Sequence, residues 1–437
     1  MDRELIDAIR ASAHLLGGGK RDYDPLLRMA RGARLVLLGE PTHGSHDVYR
    51  ERARITQRLI AEQGFTGVVW EADWPDAERA GRWALSGADA DADARSALAG
   101  FERFPTWMWR NTAVLDFLGW LRRWNESLPG DARRAGVYGM DLYSLYRSVQ
   151  AVIRYLEEVD PAAAEQARER YACFDHHGGD PQAYGYAARL GLTPECERAA
   201  LEQLEELRRR AARDGEDAFS AEQNARLARN AEQYYRSLFG SRISSWNLRD
   251  RHMAETVETL LEHLSRRHGE ARLVVWAHNS HLGDARATEM GEEGELNVGQ
   301  LLRERFGTEA LLVGFTTYDG TVTAAHEWDG GADRMRVLPA LPGSVEALFH
   351  DVALPRFFLP LRDPGEVLGA LREPRLERAI GVIYRPASER TSHYFHARVA
   401  DQFDAVVHLD RTRAVEPLEP TPRWHDPEPP ETYPSAL

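Results

Sequence analysis

Residues 33–73 read ARLVLLGEPTHGSHDVYRERARITQRLIAEQGFTGVVWEAD, and the succession of patterns within them decides the fold. ARLVLLGE (33–40) and TGVVWEAD (66–73) are short, nearly continuous apolar runs that end abruptly in carboxylates. Continuous apolarity is expected of strands covered on both faces, as in a parallel sheet, where no alternate position meets water. Between the two runs, Val48, Arg52, Ile55 and Leu59 share one stripe at helical spacing. Strand, helix and strand in this order form the unit of an α/β protein.

The strand signature returns in AGVYGMD (135–141), ARLVVWAHNSH (271–281), ALLVGFTT (310–317), AIGVIYR (379–385) and FDAVVHLD (403–410). These runs predict an α/β fold, a three-layer core with a mostly parallel sheet, built from residues 1–144 and 267–416. Residues 145–266 carry no strand pattern. Leu145, Val149, Val152 and Leu156 mark a helical stripe there, and CERAALEQLEELRRRAA is rich in helix formers. That stretch predicts an inserted helical bundle. The final segment, PLEPTPRWHDPEPPETYPSAL (417–437), is proline-rich enough to predict an extended tail.

The 437 residues hold 55 Lys+Arg against 69 Asp+Glu, a net charge of −14. This argues against a general affinity for nucleic acid or for anionic membranes, which needs a basic surface. No apolar run approaches the roughly 20 residues that cross a bilayer. The opening MDRELIDAIRASAHLL places charges where a signal peptide needs apolar residues. Cys173 and Cys196 form neither a CxxC pair nor a disulfide framework, so a cytoplasmic protein with reduced thiols is expected. LGGGKRD (16–22) lacks the spacing of a phosphate loop, and no GxSxG elbow occurs.

Ligands of open α/β sheets bind at the carboxyl ends of the strands. There the runs deliver Glu40, followed by His43 and His46, then Glu71 and Asp73, Asp141, and finally His278 and His281. Arg52, on the inward stripe of its helix, must meet a carboxylate, with Glu40 and Glu71 the natural partners. In SSWNLRDRHMAETVETLLEHL (244–264), Met253, Val257, Leu260, Leu261 and Leu264 mark a buried face, with Ser244 or Ser245 as the cap. The stripe extends back to Arg249, Asp250 and Trp246, and with Asn247 these could hold polar groups of a substrate. Arg110, in FPTWMWRN (104–111), is a candidate for lining the same pocket.

The pairs His43/His46 and His278/His281 admit a metal site with Glu40 or Glu71. They equally admit metal-free chemistry, in which one histidine held by a carboxylate acts as general base and others stabilise an oxyanion.

The stretches GEPTHGSHDVYRERARITQRLI, GFTGVVWEADWPDAERA, FPTWMWRN, YGMDLYSLY, SSWNLRDRHMAET and VVWAHNSHLGDARATEMG resemble the successive motifs of the erythromycin esterase family. NVGQLLRERFG, RAIGVIYRPASERTSHYF and QFDAVVHLDRTRAVEPLE continue the resemblance. It implies an α/β core with a helical insert and hydrolysis of the lactone ester of macrolide antibiotics without a metal or other cofactor. It also implies that the family's essential histidine falls on His43, its glutamates on Glu40 and Glu71, its arginine on Arg52, and its histidine pair on His278 and His281. One departure stands out. Proven macrolide esterases carry a bulky apolar residue after the first histidine, where this chain has Gly44. That wording is similar to the broader branch labelled succinoglycan-biosynthesis-related.

The expected function is addition of water to an ester or lactone, a macrolide among the candidates. His43 would be the base, oriented by Glu40 or Glu71, and His278, His281 or Arg52 would stabilise the oxyanion. A metal-dependent hydrolase using the histidine pairs and a non-catalytic small-ligand-binding protein are the alternatives.

Overall fold

A computed structural model describes residues 2–86, 90–130, 132–177, 179–192, 196–362 and 365–425. Its strands are β1 (His14–Leu15), β2 (Leu35–Leu38), β3 (Gly67–Asp73), β4 (Gly136–Asp141), β5 (Leu273–Trp276), β6 (Ala310–Ala324), β7 (Asp333–Val337), β8 (Arg356–Pro360), β9 (Arg375–Arg378), β10 (Tyr394–Ala397) and β11 (Ala405–Thr412). One sheet runs β1-β8-β11-β6-β2-β5-β3-β4, with β7 paired to the far end of β6. From β11 to β4 every neighbouring pair is parallel; β8 and β1 close one edge antiparallel. The mostly parallel α/β sheet expected from the apolar runs is therefore present.

Alternate residues of each central strand enter different cores. Leu35 and Leu37 pack on one face with Leu273 and Val275, whereas Val36 and Leu38 pack on the other with Val274 and Trp276. Helices His46–Gln63 and Thr112–Ser127 cover the second face, and Leu145–Val159 and Arg242–His268 the first. Both faces are dry, which is why the runs show no alternation.

Helix ends follow local chemistry. Asn111 accepts from the Val114 N–H to cap Thr112–Ser127, and Gly64, at φ 69°, ends His46–Gln63 in the left-handed conformation that glycine adopts without strain. Between β4 and β5 lie Leu145–Val159, Pro161–Tyr171, Pro181–Arg189, Glu197–Asp214, Glu216–Ser237 and Arg242–His268, with no strand among the described residues. The last of these starts before Ser244 and Ser245, its cap position being Ser241.

Three expectations need correction. AIGVIYR (379–385) is not a strand of the sheet: it forms only isolated bridges, Thr42 to Ile380 and Ala325 to Ile383. Its apolar residues Ile380 and Tyr384 fill a separate small core with Val322, Ala324, Met335 and Val337, so apolarity there reflects a packed crossing segment. The cysteines are not free thiols. Cys173 and Cys196 are joined in a disulfide, their Cα atoms 5.9 Å apart. The chain after residue 417 does not leave the body at once: Leu418 is buried, and Trp424 Nε1 donates to Thr323 Oγ1 at 2.9 Å. Residues 426–437 of the expected tail lie outside the described residues. No described helix is long and apolar enough to cross a membrane.

Candidate active site

Strand register sets the site. Leu38, Trp276 and Trp70 lie level across β2, β5 and β3, and Trp70 is level with Gly139 of β4. One or two residues further on, these adjacent strands release Glu40, His278, Glu71 and Asp141 at a common edge. The Asn279 N–H donates to the Glu40 carbonyl at 2.8 Å, which holds the ends of β2 and β5 together beyond the formal strands.

The loop after β2 places His43. Its Nδ1 lies 2.8 Å from Glu40 Oε1, and Glu40 Oε2 lies 2.6 Å from Arg52 Nη2. The Arg52 contact is charge against charge with a poor hydrogen-bond angle; the guanidinium lies over the rings of Tyr49 at 4.5 Å and Trp276 at 5.0 Å. Because a carboxylate only accepts, His43 donates from Nδ1, and Nε2 is the nitrogen available to the cleft that His43 lines. The Tyr49 hydroxyl donates to the His43 carbonyl at 3.0 Å and fixes the loop. Gly44 permits the same loop to run against β6, since a Cβ there would collide with the Thr323 carbonyl oxygen.

A second histidine–carboxylate pair stands across Glu71. His281 Nδ1 lies 2.8 Å from Asp250 Oδ1, its ring stacks on Trp246 at 4.5 Å, and Arg249 Nη1 approaches its Nε2 at 3.1 Å. Burial disfavours the charged ring, but Asp250 and Glu71 outweigh it and raise its pKa. Arg249 also donates to Glu71 Oε1 at 2.8 Å and to both oxygens of Asp141 at 2.9 and 2.7 Å. Burial raises the Glu71 pKa, yet His281, His43 and Arg249 together hold it well below the usual range.

His278 is placed differently. Glu71 Oε2 accepts its backbone N–H at 2.9 Å, and its Nδ1 accepts from the Ser280 backbone at 3.2 Å, with the Ser280 hydroxyl 2.8 Å away. Nδ1 being an acceptor, Nε2 carries the hydrogen; it is buried without a partner of normal hydrogen-bond geometry. Burial, then the neighbouring His43, push the pKa of His278 down to about 3, so the ring is neutral. The His43 and His278 rings are 5.0 Å apart.

Of these groups, His43, Glu71, Asp141, Arg249, His278 and His281 line a cleft of about 580 Å³. One wall is apolar, from Phe101, Phe104, Met108, Trp109 and Trp328, the last half exposed at the rim and 5.0 Å from Phe104. Beside Phe101 and Phe104 lie two carboxylates, Asp73 at 3.4 Å from Arg103 and Asp76 at 2.9 Å from Arg147. Asp73 accepts from the backbone of Tyr143 and Ser144 at 2.6 and 3.1 Å, and burial, then Asp73, push Asp76 up to about 7.

Three sequence candidates lie elsewhere. Arg110 turns outward to Glu419 at 2.6 Å, because its neighbour Trp109 takes the inward position stacked on Trp70. Asn247 ties down the loop at Gly294 and Leu296. His46 begins its helix with its N–H on the Arg413 carbonyl and does not line the cleft. Conversely, Asp76, Arg103, Tyr143 and Ser280 line it unannounced. Ser280, between the two histidines of HNSH, had a visible signal; Arg103 had only its isolation in an aromatic stretch. Among the described residues no three His, Cys, Asp or Glu side chains converge as metal ligands, and Arg52 and Arg249 sit against the carboxylates that such a site would use.

Comparison with known proteins assigns the class. The chain is 21% identical over 376 residues to "Putative hydrolase YbfO" of Bacillus subtilis (strain 168), covering 81% of this chain and 78% of that protein. A protein from Bacillus cereus superposes with a TM-score of 0.81 at 21% identity, covering 96% of this chain and all (100%) of that one. A succinoglycan biosynthesis protein gives 0.78 at 21% identity, covering 96% and 99%. A mutant of the erythromycin esterase EreC in its open conformation gives 0.67 at 17% identity, covering 92% and 96%. The fold is shared with all three structures, and the class is that of a hydrolase. The chain belongs to the erythromycin esterase family, whose model matches residues 60–412.

Proposed function

We propose that the protein adds water to a carboxylic ester or lactone, with His43 as general base. One observation carries this: His43 is fixed by Glu40 through Nδ1, with the neutral His278 ring 5.0 Å from its own. Water held at His43 Nε2 attacks the carbonyl carbon as its proton passes to that nitrogen. The carbonyl π electrons move to oxygen, and the oxyanion receives the His278 Nε2–H. On collapse the C–O bond breaks, and the proton returns from His43 to the departing alkoxide. Glu40 orients the base, and Arg52 anchors Glu40.

His281 and Arg249 are engaged with Asp250, Asp141 and Glu71, which favours a positioning role for them. The remaining oxyanion candidate, Arg52, lies behind Glu40. General-base catalysis contributes on the order of 10² to 10⁴ in rate, and one oxyanion donor about 10² to 10³. The apolar wall suits a largely hydrophobic acyl or ring portion, a macrolide lactone included.

Mass spectrometry of macrolides and simpler lactones, incubated with wild type and His43→Ala, tests this. A gain of one water with wild type alone is expected. Equal turnover by the variant overturns the role of His43.

A further inference from the structure

LGGGKRD, unused by the chemistry above, marks a second cavity. It has a volume of about 660 Å³ and lies at the amino ends of the strands, opposite the cleft. Arg28 and Arg31 precede β2, Arg58 lies in the last turns of the helix leading to β3, and Arg272 directly precedes β5. With Lys20 and Arg21 these make six cationic side chains, against the two carboxylates Asp24 and Glu62. In a chain of net charge −14 this is a local inversion of sign.

The two carboxylates are already taken. Arg58 Nη2 donates to Asp24 at 2.7 Å and Nε to Glu62 at 2.7 Å, while its Nη1 is buried with no acceptor among the described residues. Arg272 is held by carbonyl oxygens, of Ala33 at 2.8 Å, Gln63 at 2.9 Å and Ala30 at 2.7 Å, so its charge meets no acid in the cavity. Lys20, Arg21, Arg28 and Arg31 are exposed and have no ion-pair partner among the described residues. Gly17 and Gly18 leave open space at the approach.

We propose that this cavity binds a small molecule carrying a pyrophosphate-like cluster of negative charge. Guanidinium forks fit phosphate oxygens, and a lysine adds a mobile point charge. The rest of the acidic surface repels a long polyanion, which favours a compact ligand over nucleic acid. The site lies at the opposite ends of the strands from His43, so occupancy is independent of the catalytic groups.

Lys20 is the only lysine in the chain, which gives a specific readout. Pyrophosphate, inorganic phosphate, citrate and a short oligonucleotide are titrated calorimetrically at constant ionic strength, and Lys20 acylation by an amine-reactive reagent is followed by peptide mass spectrometry. Pyrophosphate is expected to bind one to one, more tightly than the other three, and to shield Lys20. Arg28→Ala/Arg31→Ala, at two exposed positions, should weaken it by at least about tenfold, whereas His43→Ala should bind as wild type does. No saturable pyrophosphate binding, binding that survives the double variant, or tighter binding of citrate or oligonucleotide overturns the proposal.

Discussion

Arg52 and Glu40 meet at 2.6 Å with no exposed surface on either side chain. Removing one member of such a pair leaves a buried charge unpaired, which costs about 3–5 kcal/mol. Arg52→Ala should therefore lose about that much stability in denaturant unfolding. Glu40→Leu/Arg52→Met should recover most of it while remaining inactive, because His43 has lost its orienting carboxylate. Activity in the double variant would show that Glu40 is structural only.

His278→Ala should lower kcat about 10² to 10³-fold with little change in KM, as expected of a donor used in the transition state. The two parameters separate the possibilities: a rise in KM at constant kcat would mark His278 as a ground-state contact.

Gly44→Val tests the loop that holds His43. Its side chain would collide with the Thr323 carbonyl, a clash against backbone that cannot rotate away. The variant should lose about 1–3 kcal/mol of stability and nearly all turnover, measured by thermal unfolding and steady-state kinetics. Wild-type stability would mean that the loop can move from Thr323.

Glu377 gives a pH dependence unrelated to catalysis. Its carboxyl is fully buried; burial, then Glu346 beside it, push it from the ordinary 4.5 up to about 8. A raised acid binds its proton more tightly when folded, so stability is highest below about pH 4.5 and falls as pH rises toward 8. The limiting slope is about 1.4 kcal/mol per pH unit. Chemical denaturation of wild type and Glu377→Gln at pH 6 and pH 9, on either side of the pKa of about 8, should show the variant losing less stability. Parallel pH profiles would refute this assignment.

The sequence made the central strands legible because both faces of β2, β3 and β5 are dry, so apolarity is unbroken. The same cue misplaced AIGVIYR, in which only Ile380 and Tyr384 are buried, and these pack in a small core outside the sheet. β8, RFFLP, escaped notice, being short and bounded by Pro355 and Pro360. For the site, strand ends were sufficient to bring Glu40, His43, Glu71, Asp141, His278 and His281 together. Arg110 failed because adjacent residues of an irregular stretch take opposite directions, and sequence does not say which of Trp109 and Arg110 faces in.

The sheet order has a bearing on synthesis. β5 lies between β2 and β3 in space, yet residues 273–276 follow the whole helical stretch that comes after β4. Until they leave the ribosome, β2 and β3 have an empty lane between them and apolar edges without a neighbour. That interval leaves the nascent chain open to aggregation and to chaperones, since long-range strand pairing is slow. His278 and His281 arrive with the strand that fills the lane, so a chain cut short before it lacks both the site and the closed sheet.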